Sequence, residues 1–534
     1  MLFRSEAWAQ LVVSQLTDFS EGRLSSQFYD VETAAMFLLS SRMRTARTVG
    51  IKLIRVLDRV VRSFNGQPAT PLNELSDGSF RILDILLDKQ KHTTFLTGFD
   101  DLLDAKECNR LSQWRQATSG DILLRIAGSE DERDRSLWLH IYPSIIRQQA
   151  NHKSKVMKSC RDMWIAATIR YHALIVSLAG INNRMPAPQT TRGPTSAARE
   201  REKIIADNMP VIEQWHMWVK LTCCTAAPPE PKAPGHHARA PSDALPDRDL
   251  VSTDTRGLFR YLMPFLDSDY SIFREIGVLC ICSFPGDAYR DLLDDLGAYS
   301  ARHFYVDTSR VKASPTSNRR NRRQDRQYLA VAHIYQLTAH HLKDQRGVGR
   351  TDSLTNVLKF VRHTQAFLSN PETRKDWQQQ RLRRYFCGIV EQLFDGLSSL
   401  QSSDRFIPAH MHLTLYRLCE EWCQCGSQSE SVKQRLVTMQ TAATAGFPDP
   451  QQKAAAIAQF QTETRLLSHA ACGAMASLVV RFFRLFCNPP GRMSDVALSS
   501  KRHSFLRKSP LVLRQIGYHR TFLFHLKWFR PSIV

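Results

Sequence analysis

Apolar residues recur along this chain at helical spacing. In TVGIKLIRVLDRVVRSFNG, Leu53, Val56, Leu57, Val60, Val61 and Phe64 fall at i, i+3, i+4, i+7, i+8 and i+11, and Asn65-Gly66 supplies a stop. Such a stripe predicts a helix that buries one face and wets the other. The segment 153–180 repeats the pattern with Val156, Cys160, Met163, Trp164, Ala167, Tyr171, Leu174 and Leu178. Tyr328, Val331, Ala332, Tyr335, Ala339 and Leu342 do so again, followed by Leu354, Val357, Leu358, Val361 and Leu368. Convincing period-two alternation is almost absent, which makes the fold class all-α.

Long interruptions separate the helical blocks. NNRMPAPQTTRGPTSAARE after Gly180 reads as a loop, and TAAPPEPKAPGHHARAPSDALP, dense in proline and alanine, as a flexible linker. TSRVKASPTSNRRNRRQDR is a third break, rich in serine and arginine. Helical pairs split by such loops predict an α-solenoid of HEAT/armadillo-like helical repeats with long disordered loops, because one pair cannot bury its apolar face alone. The expected organisation is helical repeats over 1–180, a Pro-rich linker over 181–253 and a HEAT-like hairpin over 254–310. A basic loop over 311–326, further repeats over 327–480 and an atypical basic tail over 481–534 complete it.

At 534 residues the chain exceeds what a single core usually organises. Its formal charge of +21 favours anionic partners, whether acidic protein surfaces, nucleic acid or anionic lipid. Twelve cysteines show no spacing of a small disulfide framework. The N-terminus MLFRSEAWAQLVVSQLTDF has no signal-peptide apolar core, and no uncharged apolar run is long enough to span a bilayer, so the expectation is a soluble intracellular protein.

The stretch HMHLTLYRLCEEWCQCG carries the densest candidate chemistry. Cys419 and Cys423 stand at i, i+4, a feasible bidentate pair for zinc, with His412 one heptad before Cys419. Yet Leu415, Leu418, Cys419, Trp422 and Cys423 also form an unbroken apolar stripe, and no second Cys-x-x-Cys pair completes a zinc site. Core packing is the favoured reading, with Glu420-Glu421 as the wet side, Cys425 in the last turn and Gly426 as the helix end. Cys223-Cys224 and Cys280/Cys282 read as packing residues for the same reason. His236-His237 and His340-His341 lack the spacing of a metallohydrolase, and no phosphate loop, nucleophile elbow or kinase signature occurs. No catalytic, cofactor-binding or metal residue is assigned.

Basic features are more substantial. Arg319, Arg320, Arg322, Arg323 and Arg326 crowd one segment, read either as a solvated, phosphoregulated loop or as a partner-binding one. Lys52, Arg55, Arg59 and Arg62 line the polar side of their helix, which reads as a wet face or as part of a groove for an acidic partner. No basic stretch is interleaved with aromatics in the manner of a single-strand nucleic-acid platform.

RGLFRYLMPFLDSDYSIFREIGVLCIC resembles a HEAT repeat, with Pro264 in its first helix and a second helix opening near Ile272-Phe273-Arg274. The resemblance implies that Asp269 (or Asp267) and Arg274 pair between adjacent repeats. Several blocks in order, among them SLWLHIYPSIIRQQANHKSKVMKSCRDMWIAATIRYH, RRQDRQYLAVAHIYQLTAHHLKD and HLTLYRLCEEWCQCG, resemble the fungal members of the Furry family of very large cell-morphogenesis scaffolds. The likeness covers most of residues 1–480 and stops there. It implies a superhelix without catalytic residues or small-molecule substrate. It further implies a scaffold for an NDR-family protein kinase and its Mob-type coactivator, cytoplasmic and at the cell cortex during polarised growth. On that resemblance the chain is an internal portion, or a truncated gene model, of a longer protein. The rival expectation from the charge is a basic α-solenoid that binds RNA or DNA.

Overall fold

The computed structural model describes residues 21–65, 86, 92–117, 121–149, 155–181, 194–227, 254–304, 322–344, 347–397, 407, 409–424, 430–445 and 449–487. Among these, the regular elements are helices, and the single extended pairing is an isolated bridge between Ala227 and Asp254. The fold is all-α and built of helical repeats. No helix among the described residues is long and apolar enough to cross a membrane. The chain divides into two compact units, Met1–Ile334 and Tyr335–Val534.

The first unit contains α1 (Glu21–Leu39), α2 (Arg44–Asn65), α3 (Ala105–Gln116), α4 (Ile122–Gly128), α5 (Glu132–Gln149) and α6 (Lys155–Leu178). After them come α7 (Pro194–Asp207), α8 (Met209–Cys224), α9 (Thr255–Leu262), α10 (Ser271–Ile281) and α11 (Tyr289–His303). The helix α12 (Arg322–Thr338) contains the boundary between the units. Helix α1 packs on α2 and α6, and α8 packs on α5, α6 and α10. Close approach of α1 and α2 needs Gly50, where a Cβ would stand 3.0 Å from the Ala35 carbonyl oxygen.

The buried C-terminal end of α1 is the hub of this unit. A helix end leaves carbonyls without intrahelical partners, and burying them bare costs about 1–3 kcal/mol each. Here side chains from other helices supply the donors. Trp138 Nε1 donates to the Leu39 carbonyl at 2.9 Å, and Tyr142 Oη to that of Met36 at 2.7 Å. Gln214 Nε2 donates to Ser40 O at 3.0 Å, and buried Arg47 spans Ser41 O and Ala127 O at 3.0 and 2.6 Å. Burial first, then neighbouring arginines, bring the Arg47 guanidinium down to about 10, which still leaves it charged at neutral pH. A similar logic explains a buried lysine. Pro143 inside α5 has no N–H to give the Leu139 carbonyl, and Lys220 Nζ from α8 donates to it at 3.3 Å.

The apolar stripes predict most of this packing. Leu53, Val56 and Leu57 are buried on α2, and Tyr328, Val331, Ala332, Tyr335, Ala339 and Leu342 are all buried along and just beyond α12. Helix α6 differs. Met163 and Leu174, expected inside, are 37% and 41% exposed, while Met157, Ile165, Ile175 and Val176 are buried. Val156, Cys160, Trp164 and Leu178 of the stripe are buried as read, so the buried face of α6, which packs on both α1 and α8, is wider than the stripe and partly offset from it.

The expected linker over 181–253 needs correction. It contains α7 and α8, and α8 carries fully buried Trp215, Leu221 and Cys223. Proline at 194 and 210 sits in the first turn of each helix, where its missing N–H is harmless, so these prolines open helices instead of breaking them. The Pro-rich stretch 228–253 lies outside the described residues. Its flanks meet: Thr255 N donates to Ala227 O at 3.1 Å beside the Ala227–Asp254 bridge, so the chain leaves and re-enters the first unit at one place. The expected basic loop over 311–326 is helical from Arg322 onward.

Glu32 on α1 is buried, and neither carboxylate oxygen has a hydrogen-bond partner. Burial raises its pKa from 4.5 to about 7. The folded state thus holds a proton that the unfolded state releases, so stability is full below about 4.5 and falls as pH rises to about 7. Above that it stays lower by about 3 kcal/mol, at 1.36 kcal/mol per pKa unit. Glu32→Gln is expected to melt higher than the parent at pH 8 and alike at pH 5, read by thermal denaturation. A difference independent of pH would contradict this.

The second unit holds α13 (Gly347–Ser369), α14 (Pro371–Lys375), α15 (Gln380–Leu397), α16 (Ala409–Trp422), α17 (Glu430–Thr444) and α18 (Pro450–Cys487). Helix α15 is central, with Leu382, Phe386, Cys387, Ile389, Val390, Leu393, Phe394 and Leu397 buried, and it packs against α13 and α18. Helices α16 and α17 also lie on α18. The expected stripe of Leu354, Val357, Leu358, Val361 and Leu368 on α13 is buried throughout.

Candidate functional site

The Cys-rich segment forms α16 and its exit. Leu415, Leu418, Cys419, Trp422 and Cys423 are all buried, the outcome its spacing favours. Trp422 meets Phe386 edge-on at 6.0 Å. His412 Nε2 lies 2.9 Å from the Leu478 carbonyl of α18. Cys419 is hydrogen-bonded to Cys387 of α15, whose thiol burial pushes far above its usual range. Cys423 Sγ faces Cys472 Sγ of α18 at 3.2 Å. Among the described residues, no group of three or more His, Cys, Asp or Glu side chains is placed to hold a metal ion. Cys425, Gly426 and His236-His237 lie outside the described residues.

In the first unit, Cys223, Cys224 and Cys280 are buried between α8 and α10. Burial raises the Cys280 thiol, but hydrogen bonds with Cys223 and His216, and the charges of His216 and Lys220, outweigh it and bring it down. These side chains form a buried polar cluster between α8 and α10.

On α2, Lys52 is half-buried and Arg55 exposed, as their place on the polar side of the helix predicts. Arg319 and Arg320 lie outside the described residues, as do the side chains of Arg322, Arg323, Arg59 and Arg62. Arg326 Nη2 donates to Asp269 Oδ1 at 2.6 Å, tying α12 to the turn between α9 and α10. Asp269 thus pairs with Arg326, and Arg274, in the first turn of α10, folds back so that its Nη1 donates to the Ser268 carbonyl at 2.6 Å.

A polar recess in the second unit was not legible. Glu421, expected on the wet side of α16, has a side chain only 14% exposed. Arg374 of α14 grips it side-on, Nε and Nη2 each donating to a different carboxylate oxygen at 2.8 Å, and Arg435 of α17 donates to it as well. Arg383 is buried behind them, with Nη2 donating to the carbonyls of Thr373, Arg374 and Asp376 at 2.7, 3.1 and 3.0 Å. These groups line a shallow recess together with Trp422, Leu436, Met439 and Leu467. Three guanidiniums against one carboxylate leave it positive, and planar forks suit a carboxylate or phosphate from a partner. The arginines come from separate helices, so no local spacing announces the site.

No family model matches the chain. Two relatives do. The chain is 18% identical to "Cell morphogenesis protein PAG1" of Saccharomyces cerevisiae over 428 residues, covering 77% of this chain and 16% of that protein. It is 22% identical to "Cell polarity protein mor2" of Schizosaccharomyces pombe over 416 residues, covering 74% of this chain and 18% of that protein. It thus spans about a sixth of the length of the relatives it matches. Two long alignments agree with an all-helical fold and support membership of the Furry family of cell-morphogenesis and cell-polarity proteins.

Proposed function

We propose that this chain is a non-enzymatic helical-repeat scaffold in cell morphogenesis and polarised growth. It supports an NDR-family protein kinase and its Mob-type coactivator in the cytoplasm at the cell cortex, at sites of growth. The observation that carries this reading is the likeness to a morphogenesis protein and a polarity protein over three quarters of the chain. A repeat scaffold binds through extended surfaces, and charge of +21 suits an acidic partner. Within the second unit, the arginine-lined recess is the surface assigned to an acidic segment of that partner.

Affinity purification of the tagged chain from growing cells tests this. A kinase and a Mob-type protein are expected to co-purify and to resist nuclease. Arg374→Glu, at a side chain 50% exposed, is expected to lower their recovery about tenfold, a loss of roughly 1.4 kcal/mol of binding. Recovery of nucleic acid with a steep salt dependence, and no kinase, would favour the basic α-solenoid reading instead.

A further inference from the structure

We propose that Cys423 and Cys472 form a modification site: a reversible disulfide made by a hydroperoxide, joining the end of α16 to α18. Their sulfurs already lie 3.2 Å apart on two different helices. A disulfide needs about 2.05 Å, so the two sulfurs must approach by about 1.2 Å. The backbone around the pair is held. Gln424 N donates to Ser468 Oγ at 2.9 Å next to it, and His412 meets the Leu478 carbonyl at 2.9 Å further along the same interface.

Exposure sets the order of events. Cys472 is partly open to solvent, whereas Cys423 is buried at 8% exposure, and the nearby Cys387 and Cys419 are at 0%. A dissolved peroxide therefore reaches Cys472 first. The Cys472 thiolate attacks one peroxide oxygen and the O–O bond breaks. Cys472 becomes a sulfenic acid and, with hydrogen peroxide, hydroxide leaves. Cys423 then attacks the Cys472 sulfur, its proton goes to the departing oxygen, and water leaves as the S–S bond forms. In sum, two thiols and one peroxide give one disulfide and two waters. A dithiol reductant reverses the reaction by exchange. The bond would fasten α16 to α18 immediately beside Trp422 and Gln424, which line the arginine recess.

The test treats the full chain with hydrogen peroxide, blocks remaining thiols with N-ethylmaleimide and maps peptides by mass spectrometry. A cross-linked peptide joining Cys423 and Cys472 is expected, with loss of two of the twelve thiols and full recovery in dithiothreitol. Cys423→Ser, which keeps the size of the side chain, is expected to trap Cys472 as a sulfenic acid and raise its dimedone labelling severalfold. Cys472→Ser is expected to leave Cys423 as a thiol. The proposal is overturned if Cys472 is oxidised with no link to Cys423, if it links elsewhere, or if Cys423→Ser leaves dimedone labelling unchanged.

Discussion

Trp138→Ala is expected to unfold the region around the C-terminal end of α1. The side chain is 1% exposed, stacks on Tyr142 at 5.2 Å, and donates its indole N–H to the Leu39 carbonyl at 2.9 Å. Removing a large buried aromatic costs ~3–5 kcal/mol, and the bare helix-end carbonyl adds ~1–3 kcal/mol. That sum is comparable with the whole stability of an ordinary domain, ~5–15 kcal/mol. Hydrogen exchange should show the amides of 31–39 and 137–146 losing protection together. Trp138→Phe separates the two terms: it keeps most of the ring and loses the donor, so its cost should be nearer the smaller one. A Trp138→Ala chain with parental protection in both segments would show that α1 does not depend on this contact.

Asp134→Ala is the second large effect. The Asp134 side chain is 0% exposed at the start of α5, a position where the helix end favours negative charge. Its oxygens accept from Arg110 Nε and Nη2 at 2.9 and 2.7 Å, from Trp114 Nε1 at 2.6 Å and from Ser129 Oγ at 2.6 Å. Breaking a buried pair by removing one partner costs ~3–5 kcal/mol, because the other charge stays behind. Arg110 is 24% exposed and can partly resolvate, which places the expected loss near the lower figure. Asp134→Asn keeps an acceptor without the charge and should lose about half as much. Urea denaturation of the three chains measures this. Equal midpoints for parent and Asp134→Ala would contradict it.

Legibility followed the range of the interaction. Helices that bury one stripe, such as α13 with Leu354, Val357 and Val361, can be read from spacing because one partner surface determines them. Helix α6 was misread in part because it packs on both α1 and α8, which buries residues beyond the one stripe. Helices α7 and α8 were hidden by proline, whose meaning depends on whether it opens a helix or interrupts one. The thiols of Cys419 and Cys423 were legible as core, since the stripe assigned them a face. The recess was not, because Arg374, Arg383, Glu421 and Arg435 lie on four helices and each alone resembles a solvated charge. Asp269 likewise could not announce that Arg326 would reach it.

The central claim is that the chain scaffolds a kinase module directly. Sedimentation velocity of the purified chain with a purified NDR-family kinase–Mob complex tests it. The account predicts one saturable, faster-sedimenting species that survives nuclease and is weakened by Arg374→Glu. Independent sedimentation of chain and kinase at micromolar concentration, with or without the coactivator, would contradict it.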